Sequence, residues 1–238
     1  MIKDIKGYIF KILICIPAFA LIIPFVSSCG KSTGVSPNSY NSQLLVANLS
    51  PDVLPVNLYI NNVLQNNAPY RYPNINSYFY LGIIGQPLQI RGAGGAQVIK
   101  VTDSTVTKTN AKYTLIITGL AADSSIRTIF LVDTSTIPAI GRGKLRFVNA
   151  SPRSTALDVY ANGVKLFDGT LYGKYTDFTS LPAGNYDVKI YAKGDVTTIL
   201  KEINPVTIQD SRLYTMYANG LIGRIDTSAF NAAVITNK

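Results

Sequence analysis

Beyond its N-terminal segment the chain is patterned in twos. Lys144-Leu145-Arg146-Phe147-Val148 alternates charge with apolar bulk, and Tyr186, Val188 and Ile190 alternate with Asp187, Lys189 and Tyr191. A period of two sends successive side chains to opposite faces, so these segments predict half-buried antiparallel β-strands. Asn162-Gly163 suits a two-residue hairpin in which both central residues take positive φ, and Pro182-Ala183-Gly184 reads as a turn that launches the next strand. Turn signals recur roughly every 8–12 residues, the spacing of a β-sandwich. No helical pattern of useful length follows the N-terminal segment.

That segment reads differently. Lys3, Lys6 and Lys11 precede an apolar run over 12–26, which closes on Ser27-Ser28-Cys29. Basic region, apolar region and small-residue cleavage site are the three parts of an export signal. The run is shorter than the roughly 20 residues a spanning helix needs, and it carries Pro17 and Pro24. A permanent transmembrane anchor therefore fits less well. Val26-Ser27-Ser28-Cys29 resembles the bacterial lipobox, which implies a cleaved lipoprotein signal peptide over 1–28 and lipid attachment at Cys29. Acyl chains contribute about 0.8 kcal/mol per buried methylene, and stable anchoring takes more than one chain. The diacylglyceryl and N-acyl groups that the lipobox implies meet that need. The only other cysteine, Cys15, lies inside the discarded segment, so the mature chain can form no internal disulfide. Residues 29–42, built largely of Ser, Gly and Asn, read as a flexible tether.

From there the chain repeats itself. Asn48-Leu49-Ser50-Pro51 returns as Asn149-Ala150-Ser151-Pro152, and Leu58-Tyr59-Ile60-Asn61 as Val159-Tyr160-Ala161-Asn162. Tyr72, Tyr78, Leu81 and Ile90 return as Tyr172, Phe178, Leu181 and Ile190, and Tyr113-Thr114 with Gly119-Leu120 as Tyr214-Thr215 with Gly220-Leu221. Asp133-Thr134-Ser135 matches Asp226-Thr227-Ser228 at a shorter offset, which would make the last hairpin of the first copy the longer one. Two domains follow, over 43–140 and 143–238, and the fold class is all-β: two tandem Ig-like or Greek-key β-sandwiches. Tyr72, Tyr78, Leu88 and Ile90 are expected in the core of the first, and Tyr172, Phe178, Val188 and Ile190 in the core of the second.

The second copy, with LRFVNASPRSTALDVYANG, LPAGNYDVKIYAKG and LYTMYANGL, resembles the bacterial domain-of-unknown-function 4397 family; the first is a more divergent copy. The resemblance implies exported, often lipid-anchored β-sandwich modules of the kind frequent in Bacteroidota, with no activity established for the class. Two positions depart from the family pattern. Asn48 and Asn149 stand where His is common, and the Asp that usually follows the proline is Asp52 in the first copy but Arg153 in the second.

The chemistry narrows accordingly. The chain has no histidine, which excludes Ser-His-Asp and Cys-His catalysis and His-containing metal sites; no cofactor is implied. Asp158, Asp168, Asp177, Asp187 and Glu202 could pair as glycosidase carboxylates, but they fall at turns and on polar strand faces, so the chain reads as no enzyme. The Arg91-Gly92-Ala93-Gly94-Gly95 segment fits a hairpin tip better than a phosphate cradle, since no helix follows it. A formal charge of +9 drops by two when Lys3, Lys6, Lys11 and Asp4 are removed. The remaining excess would suit anionic lipid or an acidic polymer, while an exported protein has little occasion to meet nucleic acid. Arg142, Lys144 and Arg146 fall on one strand face, either solvated or turned to an anionic partner.

The favoured function is a non-catalytic binding or adhesion module of the outer membrane, anchored through lipid, with a glycan or an envelope protein as partner; the alternative is a structural spacer or assembly subunit. Which face of the outer membrane it occupies stays open, because Lys31 stands early in the tether and the first acidic residue after Cys29 is Asp52. A ligand site is expected on the first domain at Tyr70, Arg71, Phe79 and Tyr80. Tyr70, Phe79 and Tyr80 become Thr170, Thr179 and Ser180 in the second copy, and strand alternation that turns Tyr78 inward would turn Phe79 outward beside Arg71.

Overall fold

The computed structural model describes residues 41–237 apart from 83, 96, 97 and 107, so the expected signal peptide, Cys29 and most of the expected tether lie outside the described residues. The first half runs β1 (Gln43–Asn48), β2 (Val56–Ile60), β3 (Val63–Leu64), β4 (Phe79–Tyr80), β5 (Pro87–Gly92), β6 (Val98–Thr105), β7 (Lys112–Thr118) and β8 (Arg127–Val132). The second runs β9 (Arg142–Asn149), β10 (Leu157–Ala161), β11 (Val164–Thr170), β12 (Thr179–Pro182), β13 (Gly184–Ala192), β14 (Lys201–Ile208), β15 (Leu213–Asn219) and β16 (Asn231–Thr236). Each half is a sandwich of two four-stranded sheets. Their orders are β4-β1-β7-β8 over β3-β2-β5-β6, and β12-β9-β15-β16 over β11-β10-β13-β14. Every strand of the first half has its counterpart eight places later, and each of these sheets belongs to one half alone.

One pairing departs from the antiparallel expectation: β1 runs parallel to β7, and β9 parallel to β15. The chain reaches β7 only after passing through the opposite sheet, so no tight turn forces the pair to be antiparallel. Asn162 (φ 49°) and Gly163 (φ 77°) form the hairpin turn that their sequence predicts.

Leu44, Val46, Leu58, Leu88, Ile90, Tyr113 and Leu115 fill the first core, and Leu145, Phe147, Val159, Val188, Ile190 and Met216 the second. The repeated Asn-x-Ser motif ties each sandwich together at the end of its first strand. The Asn48 side-chain amide donates to the Tyr70 carbonyl (3.1 Å) while its oxygen accepts from the Ser50 N–H (3.2 Å). Asn149 does the same with the Thr170 carbonyl (3.0 Å) and the Ser151 N–H (3.1 Å). The serine hydroxyls then donate to the carbonyls of Gly119 (2.8 Å) and Gly220 (2.6 Å). Both glycines have positive φ, and a Cβ on either would lie 2.2 Å from a backbone oxygen, so only glycine fits.

A third apolar cluster joins the halves. Ala47, Leu49, Ile116, Ile129 and Leu131 of the first meet their own counterparts Val148, Ala150, Tyr217, Ala233 and Ile235 of the second. The contact is self-complementary, the same patch used twice. The β1-β7-β8 and β9-β15-β16 sheets are thus covered on both faces, which is why Leu44 to Ala47 and Tyr113 to Ile117 are buried without alternation.

The structure corrects the assignment of the recurring aromatics. Tyr72, Tyr78 and Tyr172 are half-buried against the other half rather than inside their own cores, and Phe178 is half-buried under the guanidinium of Arg146, whose ion pair with Asp133 crosses to the other half. It also corrects one repeat match. Tyr113 pairs with Val132 and Tyr214 with Thr236, so the partner of Asp133 is Asn237, not Asp226, and the second half has the longer last hairpin.

Candidate binding surface

Two reciprocal anchorages fix how the halves meet. At one end Asp133, fully buried, pairs with Arg146, whose side chain is 4% exposed. The Asp133 carboxylate also accepts from the Tyr78 hydroxyl (2.8 Å) and the Thr114 hydroxyl (2.7 Å). Arg146 donates to the Val132 carbonyl (2.8 Å) and Thr215 (2.9 Å), and its guanidinium lies over the Phe178 ring, 4.6 Å from the centroid. Thr215 donates to Asn237 (2.7 Å), which donates to Tyr78 (2.8 Å), closing a ring of hydrogen bonds across the boundary. Burial pushes the Asp133 carboxyl up and the Arg146 guanidinium down, each against the pull of its partner, and burial likewise raises the Tyr78 phenol. At the other end Thr118 donates to the Ala150 carbonyl (2.6 Å), Asn219 to Tyr72 (3.3 Å), and Asp123 pairs with Arg153 (2.8 Å).

These contacts bring like ends together. The chain enters at residues 41–42, crosses between halves over 133–141 and reaches Asn237 at the end where β1, β7, β9 and β15 begin. The β1–β2, β5–β6 and β7–β8 connections, and their three counterparts in the second half, gather at the opposite end. That far end holds a cleft of about 700 Å³ in the first half, lined chiefly by Val53, Leu54, the 92–95 turn, Val98 and Ile126. Its wall is fixed by Asp52, whose carboxylate accepts from the N–H groups of Ala121 (2.7 Å) and Ala122 (3.0 Å). Leu54 is 79% exposed at the rim. The Arg91–Gly95 segment is the hairpin tip expected of it. In the second half Phe230 stands where Ile126 does and packs against the core.

The four residues expected to form a ligand site do not assemble. Tyr70 is 2% exposed, a core residue bridged to Val56 at the loop end. Phe79 packs against the same core, and Tyr80, exposed, pairs with Gln43 at the chain-entry end, the full length of β1 away from Arg71. The alternation runs in the opposite phase: β4 turns Phe79 to the core and the preceding Tyr78 to the second half, because both faces of its sheet are covered. The three cations of β9 are each bonded within the chain. Arg146 is buried in its ion pair, Lys144 donates to the Thr136 carbonyl (2.9 Å), and Arg142 to Ser180 (2.8 Å). The cleft escapes sequence reasoning because three distant loops build it; apolar Val53 and Leu54 in a turn-rich stretch are its one signal.

Fold and surface together define a tandem β-sandwich protein whose two copies are clamped face to face, with its loops displayed opposite the point of chain entry. The chain belongs to the family described as domain of unknown function (DUF4397), whose model matches residues 42–158 and 143–238. Among solved structures the chain is similar to the Bacillus anthracis TIE protein, at 10% identity and a TM-score of 0.25, over 82% of this chain and 43% of that one. No curated protein matches it.

Proposed function

We propose that the protein is a lipid-anchored cell-envelope module that binds or adheres without catalysis, held at Cys29 and presenting its loop end to a partner. The observation that supports this reading is the polarity of the body. Residues 41–42, the crossover and Asn237 share one side, and the loops of both halves, with the cleft that three of them build, share the other. A tether over 29–42 would join the lipid to the entry side of the body. The cleft is apolar at its centre with an Asp52-braced rim, the composition of a small binding site.

The test has two arms. Cys29→Ser should abolish acylation and move the protein from the detergent to the aqueous phase on partitioning; equal partitioning of mutant and parent would remove the anchor from the proposal. Leu54→Glu with Val98→Glu should abolish adhesion of the chain to whole cells or isolated envelope, while Ile140→Glu, 96% exposed at the entry side, should leave it intact. Equal adhesion by both variants would make the loop end a bystander and favour a spacer or assembly subunit.

A further inference from the structure

The second half carries a pocket separate from the cleft of the first half, and only Val196 of its lining comes from the loop end. It lies on the outer face of the β10-β13 pair, has a volume of about 240 Å³, and is lined by Tyr160, Gly163, Asp187, Lys189, Tyr191 and Val196. Cross-strand register builds it. Tyr160 faces Lys189, Asp158 faces Tyr191, and Lys189 faces Glu202 on β14. The two tyrosine rings meet edge to face at 5.4 Å between centroids, giving an aromatic corner instead of a flat slot. Val196 is held over this face by the 195–198 loop, which Asp195 fixes by accepting from the N–H groups of Thr197 (2.7 Å) and Thr198 (3.1 Å).

Two features define what would enter. The first is Asp187. Its Oδ2 pairs with Lys189 (3.0 Å), but Oδ1 is buried and has no hydrogen-bond partner. A carboxylate oxygen accepts and cannot donate, so its missing partner is a donor, and a buried acceptor left unpaired is costly enough to be uncommon. The second is the balance of charge around the corner. Lys165 is shared between Asp158 (2.8 Å) and Asp168 (2.7 Å), and Lys189 lies between Asp187 (3.0 Å) and Glu202 (4.0 Å). Each cation already has its acids. An anionic ligand would have to compete with those acids for a cation, and an ammonium would have to shed its water to join carboxylates that a lysine already neighbours. What fits is uncharged, small, rich in hydroxyl donors and able to lay an apolar face on a tyrosine.

We propose that this pocket binds one ring of a neutral saccharide, with a sugar hydroxyl donating to the Asp187 carboxylate, whose side chain is 31% exposed, and a C–H face against Tyr160 or Tyr191. The first half supplies a comparison within the molecule. Its Tyr59 matches Tyr160, but Arg91 stands in the place of Tyr191 and lies over the Tyr59 ring at 4.5 Å, while Pro87 stands in the place of Asp187. The guanidinium there lies closer to its ring than the Lys165 ammonium does to Tyr160 (5.6 Å), and the acceptor is missing. The site is therefore a property of the second half alone.

The inference is independent of the anchor and of the far cleft, and its test touches neither. The whole chain is titrated with D-glucose, D-galactose, D-mannose and N-acetyl-D-glucosamine, and with glucuronate and glucosamine as charged counterparts of glucose, by saturation-transfer NMR and tyrosine fluorescence. At least one neutral sugar should bind saturably, and the charged counterparts should bind no better than glucose. Asp187→Ala should weaken binding about tenfold by removing the acceptor. Val196→Trp, at a side chain 62% exposed, should block the pocket without touching the core and abolish binding at an unchanged melting temperature. Absence of saturable binding by all four neutral sugars, binding that survives Val196→Trp, or a preference for either charged sugar would each overturn the proposal. Leu54→Glu with Val98→Glu should leave sugar binding unchanged, so loss of adhesion in that variant and loss of sugar binding in these remain separate results.

Discussion

The Arg146–Asp133 pair offers a perturbation whose controls are written into the repeat. Position 146 corresponds to Leu45 in the first half, and position 133 to Asn237 in the second. Arg146→Leu with Asp133→Asn therefore installs side chains that the same interface already accommodates at the related place. The side chains are 4% and 0% exposed, so removing either alone strands a charge out of water, which costs about 3–5 kcal/mol. Arg146→Leu also leaves the Val132 carbonyl without its donor, and Asp133→Asn leaves the guanidinium stacked on Phe178 with no counter-charge. Each single change should sit at the lower edge of that range, about 3 kcal/mol, because Tyr78 and Thr114 can still bond to the introduced amide and the Phe178 ring can settle toward the shorter leucine side chain. The double change removes both charges together and should cost about 1–2 kcal/mol, mostly the unpaired carbonyl and residual cavity. The interaction energy would then exceed about 3 kcal/mol. Urea unfolding at equilibrium, followed by far-ultraviolet circular dichroism, measures all four chains. The slope should stay that of a single transition in the parent and split in the single variants, as the halves lose their common interface. Single variants costing less than about 1 kcal/mol, or a double variant equal to their sum, would refute the view that this pair fixes the interface.

Two further outcomes follow from local geometry. Gly119→Ala and Gly220→Ala should each destabilise by about 1–3 kcal/mol, measured as a fall in urea midpoint, since both combine positive φ with a 2.2 Å clash; a neutral result at either would mean the hairpin relaxes freely. Hydrogen bonds from the Thr197 N–H and hydroxyl and the Thr198 N–H hold the Asp195 carboxyl well below its usual value of about 3.9. Because the folded value is the lower one, the stabilisation is complete above the unfolded value and is lost as pH falls through the folded one. The Thr197 amide should thus keep its chemical shift through mild acid and move only in strong acid, whereas a midpoint near the usual carboxylate value would contradict the capped loop.

Much of the architecture was legible because each copy checks the other. A constant offset from Asn48/Asn149 to Gly119/Gly220 marks one fold used twice, and turns such as Asn162-Gly163 mark the strand ends. What hid was the second buried face. Runs such as Leu44-Leu45-Val46-Ala47 show no period of two, and that is the trace of a sheet covered on both sides. Reading β4 as half-exposed reverses the phase of Tyr78 and Phe79 and places Tyr70 on the surface. Arg71 and Phe79 lie close enough in sequence to suggest one patch, yet the crossover between β3 and β4 runs the length of the sheet. The far cleft and the tyrosine corner draw on segments that no local pattern unites.

The self-complementary interface has a consequence for how many copies such a chain can hold. A face that pairs with its own duplicate is satisfied at two, and among the described residues the joining cluster draws on that one face of each sandwich. A longer relative is therefore expected to grow by pairs. An odd copy would leave Leu45, Leu49, Ile116, Ile129 and Leu131 bare, and would find its second member in another chain, so that parity of repeat number decides between a monomer and a dimer.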